Sequence, residues 1–155
     1  MTSNAEATIW TWHAWSTLTP DTLYGFLRLR SDIFVVEQNC VFPDMDGVDP
    51  QCEHLCGCDA DGRLLAYLRL VPPAVKAPQP ALGRLVVAAE ARRHGLARTA
   101  IRLGLQRCTE RFPGQAVFLS GQQHLEAFYA GLGFETISAP YLEDGIWHVD
   151  MLRPW

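Results

Sequence analysis

The sequence predicts a mixed α/β domain, and three observations carry that prediction. Segments with strand-like alternation or short apolar runs are interspersed with segments of helical periodicity. The chain has 155 residues, 48% of them hydrophobic and 19% charged, a size and balance that suit one globular domain over residues 1–155. No internal repeat or low-complexity stretch interrupts it.

The elements follow in order. Residues 8–16, TIWTWHAWS, alternate large apolar with smaller polar side chains and read as a half-buried strand. A helix opens with Thr19 as N-cap and Pro20 at its first position, and Leu23, Phe26, Leu27, Ile33 and Phe34 give it an interrupted apolar stripe. CVFPDMDGVDPQ, residues 40–51, is rich in turn formers and reads as a loop. Residues 53–71 read as two strands joined at Asp61-Gly62. Four prolines in residues 72–81 mark a connector. LGRLVVAAE is a further strand, and RRHGLARTAIRLGLQRCTERF is a helix starting at about Gly95, with Leu96, Ile101, Leu105 and Cys108 near one face. AVFLS is a short buried strand, and QHLEAFYAGLG is a helix ended by a glycine. ISAPYL and WHVDMLR finish the chain as a hairpin around Asp144-Gly145.

No segment approaches the run of about 18 apolar residues that a membrane span needs, so no membrane partner is expected. MTSNAEATIW has neither a basic leader nor a following apolar block, which argues against a signal peptide. Five cysteines, an odd number without framework spacing, fit reduced thiols in a cytoplasmic protein. A net charge of −4 argues mildly against nucleic acid as a partner. The charge is also unevenly placed. Twelve of the 13 basic residues are arginines, seven of them between Arg84 and Arg111, whereas Glu37 to Asp61 holds seven acids and no lysine or arginine. One stretch suits an anion and the other a cation.

The chemistry concentrates in LGRLVVAAEARRHGLARTAI, where a strand runs through a turn into a helix near Gly95. The unpaired amides of a first helical turn and the positive end of its dipole form an anion site. Arg92, Arg93 and Arg98 crowd that terminus, where cations are unfavourable without an anion nearby. Two readings stand: a site for a phosphate-bearing ligand, or a solvated basic face with a glycine easing the turn. A Walker A loop is excluded, since no Gly-Lys-Ser/Thr follows, and the Gly-x-Gly-x-x-Gly dinucleotide fingerprint is absent.

RRHGLA, Arg92 to Ala97, resembles the Arg/Gln-x-x-Gly-x-Gly/Ala pyrophosphate loop of the GCN5-related N-acetyltransferase (GNAT) family, and LEAFYAGLGFE resembles that family's helix-to-strand segment. The N-terminal half, LRLRSDIFVVEQNCVFPDMDGVDPQCEHL, and the C-terminal YLEDGIWHVDM are similar to its ElaA-type branch. The resemblance runs from about residue 15 onward.

The resemblance implies a mostly antiparallel sheet of six to seven strands, flanked by about four helices, with two central parallel strands splayed apart. It implies acetyl-CoA as cosubstrate, entering between LGRLVVAA and AVFLS, and an amine acceptor: a small cationic molecule, or a peptide or protein amine. By correspondence, the pantetheine arm would bond to backbone at Leu85, Val86 and Val87. The pyrophosphate would lie on Arg92, Arg93, His94, Gly95, Leu96, Ala97 and Arg98, with Phe128 close by. Tyr129 matches the family's general acid, and a phenol with an ordinary pKa of about 10 can donate at neutral pH. The alternative for Tyr129 is a core aromatic. Glu37, an isolated carboxylate after an apolar run, is the first candidate base if burial raises its pKa, and a salt bridge to Arg28 or Arg30 is its alternative. His54 and His148 are further candidates because histidine titrates near neutrality. Asp46 and Asp49 could lend negative charge to an amine pocket, with His148 beside them. A CoA-binding module without turnover and a zinc-binding interaction module are the competing classes; a homodimer stays open.

CEHLCGC, residues 52–58, packs Cys52, His54, Cys56 and Cys58 into one stretch. On a strand these four share one face, spaced roughly 6–7 Å apart in a line. A tetrahedral ion with bonds of about 2.0–2.3 Å cannot collect ligands so strung out, so no metal is expected.

Overall fold

A computed structural model describes residues 7–155. The leader-free reading of the first ten residues rests partly on residues 1–6, which lie outside that range. The described strands are β1 (Ile9–Ala14), β2 (Glu53–Cys58), β3 (Leu64–Val71), β4 (Ala81–Val87), β5 (Val117–Gln122), β6 (Glu135–Thr136), β7 (Tyr141–Glu143) and β8 (Ile146–Arg153). The helices are α1 (Pro20–Arg30), α2 (Leu96–Arg111) and α3 (Glu126–Ala130). The strands form one sheet in the order β1-β2-β3-β4-β5-β8-β6, with β7 on β8. Every pairing is antiparallel except β4 with β5.

Eight strands stand where six to seven were expected. The segment after α3 breaks into β6 and β7, with Pro140 between them unable to donate to a ladder. Three α-helices, not four, flank the sheet among the described residues. The helix expected at residue 19 starts where its capping chemistry puts it, since Thr19 Oγ1 accepts the Thr22 amide at 3.2 Å and Pro20 occupies the first position. α1 then widens into a π-helical stretch, Ser31–Glu37.

Alternation sends β2 and β3 side chains to two cores. Leu55, Leu68 and Leu82 pack with Ile101 of α2, Tyr129 of α3 and Met151 of β8. Cys56, Tyr67 and Val86 pack against Phe26 of α1. α2 lies tight on the sheet because Gly104 has no side chain; a Cβ there would stand 2.7 Å from Leu68 Cδ2. The cysteines serve these cores as small apolar groups, and burial pushes the Cys52 thiol up to about 11 and those of Cys56 and Cys108 up to about 12.

A charge network fastens the 44–49 loop to the sheet. Arg30, fully buried, donates to Asp44 Oδ2 at 2.7 Å and Asp49 Oδ1 at 2.8 Å. Arg69 grips Asp46 through both terminal nitrogens at 2.9 Å and reaches Asp49 Oδ1 at 3.0 Å. Lys76 and Arg84 close the outer side on Asp46 and Asp44. Burial works to raise the Asp46 and Asp49 carboxyls, and the guanidiniums of Arg69 and Arg30 outweigh it, holding both below the usual range.

A buried network of this kind is costly to break from one side. Asp49→Asn, which leaves Arg30 and Arg69 without a shared carboxylate, should lower unfolding stability by about 3–5 kcal/mol in urea titrations. The folded-state pKa values are depressed, so the stabilisation is complete above the unfolded value of about 3.9 and is lost as pH falls below it. Wild-type stability should therefore drop steeply below pH 4, and that of Asp49→Asn less steeply.

Candidate active site

Strands β4 and β5 meet at one bridge, Ala81 with Phe118, and then part. Beyond that bridge the facing edges of both strands carry no ladder, so their amides and carbonyls are open to a ligand. Register adds to this. Between Tyr67↔Val86 and Arg69↔Gly83, β4 spends one residue more than β3, a bulge at Arg84-Leu85 that Arg84 enters with a positive φ of 51°. Arg84 is held there by its ion pair to Asp44, Nε to Oδ1 at 2.8 Å, and by Nη2 donating to the Asp44 carbonyl at 3.0 Å.

The parting opens a cleft of about 410 Å³, within the range of small-molecule sites. Leu85, Val86 and Val87 line it from β4, and Ser120, Gly121 and Gln122 from β5. Val87 and Arg92 are shared with a second hollow of about 200 Å³ formed by Arg93, Gly95, Leu96, Ala97, Arg98 and Phe128. The Gly95 turn singled out in the sequence is thus the far end of the same groove. Gly95 is the N-cap of α2 with φ 77°, and no side chain caps the first-turn amides. The Arg98 guanidinium lies over the Phe128 ring at 5.9 Å. His94 is exposed and lines neither hollow.

Tyr129 lines the cleft from α3 and is 7% exposed. Its ring packs edge-on against Phe128 and Phe134 and sits over Gly121, where a Cβ would come within 2.9 Å of Cε2. Burial pushes the phenol up to about 12, so it stays protonated. Its hydroxyl has no hydrogen-bond partner among the described residues.

The candidate bases fare differently. Glu37 was expected to gain a raised pKa from burial, or to pair with Arg28 or Arg30. Instead the π-helical stretch carries it to the surface, where Arg92 Nη2 donates to Oε2 at 2.6 Å. That hydrogen bond holds the carboxyl below its ordinary value, which makes it a poor base at neutral pH. Arg30 is already committed to Asp44 and Asp49. His54, expected near the acceptor, is fully buried and stacked on Phe26 at 4.8 Å. Its Nε2 donates to the Asp49 carbonyl at 3.0 Å, so Nδ1 accepts from Tyr67 Oη at 2.6 Å. Burial lowers its pKa and fixes it as a neutral core group. Asp49 is buried with Arg30 and Arg69 and lines no cleft, whereas Asp46 does line it, with its charge spent on Arg69 and Lys76. Only His148 of the candidate bases sits in the cleft free of buried cations; Nδ1 bonds to the Ile146 carbonyl at 2.8 Å and Nε2 lies 3.7 Å from Glu143.

Sequence reading missed the polar chain on β5, β7 and β8. Ser120 Oγ lies 2.5 Å from Tyr141 Oη, which donates to Asp150 Oδ1 at 2.6 Å. Ser120 and Asp150 are register partners across β5 and β8, a relation that 30 residues of separation conceal. The tip of the β7-β8 hairpin is tied to the loop after α1 where Cys40 Sγ meets the Asp144 carbonyl at 3.2 Å. No helix among the described residues is long and apolar enough to cross a membrane.

Residues 49–153 match the family model of an acetyltransferase (GNAT) domain. Protein ElaA of Escherichia coli K12 is 36% identical over 140 residues, 89% of this chain and 91% of that one. The E. coli ElaA crystal structure has a TM-score of 0.87 over 94% of this chain and 99% of that chain. The crystal structure of an acyl-CoA N-acyltransferase from Pseudomonas aeruginosa is 39% identical, with a TM-score of 0.89 over 94% and 99% of the two chains. A UPF0039 protein of Synechocystis sp. is 35% identical over 143 residues, 92% of this chain and 93% of its own. A splayed parallel pair, an uncapped Gly95 loop and a family match over most of its length lead to one conclusion: the chain belongs to the GNAT acetyltransferase family.

Proposed function

We propose that this protein transfers an acetyl group from acetyl-CoA to a primary amine by direct attack. The observation that carries the reading is the continuity of the β4-β5 cleft with the uncapped terminus of α2. In this reading the pyrophosphate lies on the first-turn amides of α2, with Arg92, Arg93 and Arg98 supplying charge. The pantetheine arm bonds along the unladdered edge of β4 at Leu85 to Val87, and a β4 amide polarises the thioester carbonyl. Tyr129 donates its proton to the departing sulfur. Glu143 and Asp144 are the acids of the hairpin tip that line the cleft, and they favour an ammonium group approaching from that side. Asp44, Asp46 and Asp49 do not supply that pull, because four cations already balance them.

Coupled release of CoA from acetyl-CoA, followed over a panel of primary amines, tests the reading; binding of CoA with no amine acetylated would overturn it. Tyr129→Phe should cut kcat by about 10²-fold or more and leave CoA affinity within twofold by calorimetry. The phenol is pushed up to about 12, so the acid form persists to high pH, and kcat should show no descending limb assignable to Tyr129 below pH 10. Gly121→Ala should displace the Tyr129 ring and reproduce much of the Tyr129→Phe loss, again with CoA affinity kept. Gly95→Val, which puts a branched side chain at φ 77°, should instead weaken CoA binding about tenfold or more.

A further inference from the structure

The chemistry above assigns the acceptor's proton to no group, and of the candidate bases only His148 lines the cleft, with Nδ1 on the Ile146 carbonyl and Nε2 toward Glu143. Glu37 is exposed and paired, and His54 is sealed in the core. The three-residue chain Ser120, Tyr141, Asp150 fills that gap.

Its polarity can be read from the hydrogen bonds. Tyr141 Oη donates its one proton to Asp150 Oδ1, so the 2.5 Å contact from Ser120 Oγ must be a donation by serine to the tyrosine oxygen. With its proton engaged behind it, Ser120 Oγ turns only acceptor capacity toward the cleft that it lines. A group meeting it there must be a donor, as an amine N–H is. Ser120 also shares its strand face with Gln122, whereas its neighbour Gly121 underlies Tyr129. Ser120 and Tyr129 therefore address the seam from opposite faces of the sheet, a division that suits taking a proton from nitrogen and giving one to sulfur.

We infer that Ser120 accepts a proton from the acceptor amine and passes charge through Tyr141 to Asp150. As the amine nitrogen bonds to the thioester carbon and the carbon–sulfur bond breaks, the N–H proton moves to Ser120 Oγ. The serine proton moves to Tyr141 Oη and the tyrosine proton to Asp150 Oδ1. Tyr129 supplies the proton that sulfur takes up; Asp150 then releases its proton to solvent and Tyr129 regains one, so the ledger balances. Ser120 is the catalytic residue of this chain, and Tyr141 and Asp150 position and discharge it. Burial and the Asp150 bond push the Tyr141 phenol up to about 12, which keeps it a neutral carrier and not an ionised sink. Among the described residues, the titratable groups in contact with the chain are His148, stacked on Tyr141 at 6.1 Å, and Glu143 beside His148. Asp150 is further fixed by its amide donating to Ser138 Oγ at 2.9 Å.

The inference rests on the N-acetyltransferase reading, and the experiment separates the two. Steady-state rates with acetyl-CoA and spermidine, tyramine, benzylamine and a free-N-terminal hexapeptide are measured from pH 6 to 10 for wild type, Ser120→Ala, Ser120→Thr, Tyr141→Phe and Asp150→Asn. CoA affinity and melting temperature are recorded for each. Ser120→Ala should lose about 10²-fold in kcat at pH 7 with CoA affinity unchanged, and Ser120→Thr, which keeps the hydroxyl, should recover most of it. Tyr141→Phe and Asp150→Asn should lose about tenfold or more at pH 7, and the deficit should shrink toward pH 10 as hydroxide replaces the carboxylate. Wild-type kcat in Ser120→Ala, or a deficit in Asp150→Asn that is the same at every pH, overturns the relay. Silence of wild type toward every amine, with CoA still bound, overturns the N-acetyltransferase reading itself and the relay with it.

Discussion

A parallel pair that closes only once, at Ala81 and Phe118, is the constraint on which the rest of this molecule is arranged. The other described strand pairings are antiparallel, and at the seam the unladdered backbone of β4 and β5 faces the cleft. Backbone donors left unpaired in a protein interior are costly. Here they border a cleft instead, where solvent or an extended ligand arm can satisfy them. The bulge at Arg84-Leu85 and the left-handed Arg84 belong to the same device, since they turn β4 out of register beside the seam.

What keeps the seam's walls in place is polar on one side and apolar on the other. On the α1 side, Arg30 and Arg69 are buried guanidiniums whose partners all come from one loop, Asp44 to Asp49. The loop has little apolar content to bury, so charge pairing is what orders it. Arg84 shares Asp44 with Arg30, which couples the strained β4 bulge to that network. On the α2 and α3 side, ordinary packing suffices: Gly104 lets α2 settle onto Leu68, and Gly121 lets the Tyr129 ring approach the β5 backbone.

Two histidines of one sequence meet opposite fates for reasons of register alone. His54 stands on β2 with its side chain toward α1, where Phe26 and Tyr67 enclose it. His148 stands on β8 opposite Gln122, at the mouth of the cleft. Both were equal candidates by residue type. The same holds for the acids: Glu37 and Asp49 differ in whether a helix end carries them to solvent or a loop folds them under the sheet.

Local signals in the sequence predicted most of the strands and helices in order, the N-cap of α1 and a turn into a helix at Gly95, and the family resemblance carried by RRHGLA and LEAFYAGLGFE predicted the splayed pair. Those signals are periodicity, capping chemistry, a glycine at a left-handed position, and motifs within about 15 residues. Only the tertiary structure decided the charges. Arg92 pairs with Glu37 across 55 residues, Arg69 with Asp46 across 23, and Ser120 with Tyr141 across 21, so no window of sequence contains both partners in recognisable form. A carboxylate's pKa and a histidine's tautomer depend on what lies within a few ångströms, and strand pairing brings those neighbours from anywhere in the chain. That is why the Gly95 end of the groove was legible in RRHGLA, while the Ser120, Tyr141 and Asp150 chain emerged only when β5, β7 and β8 were laid side by side.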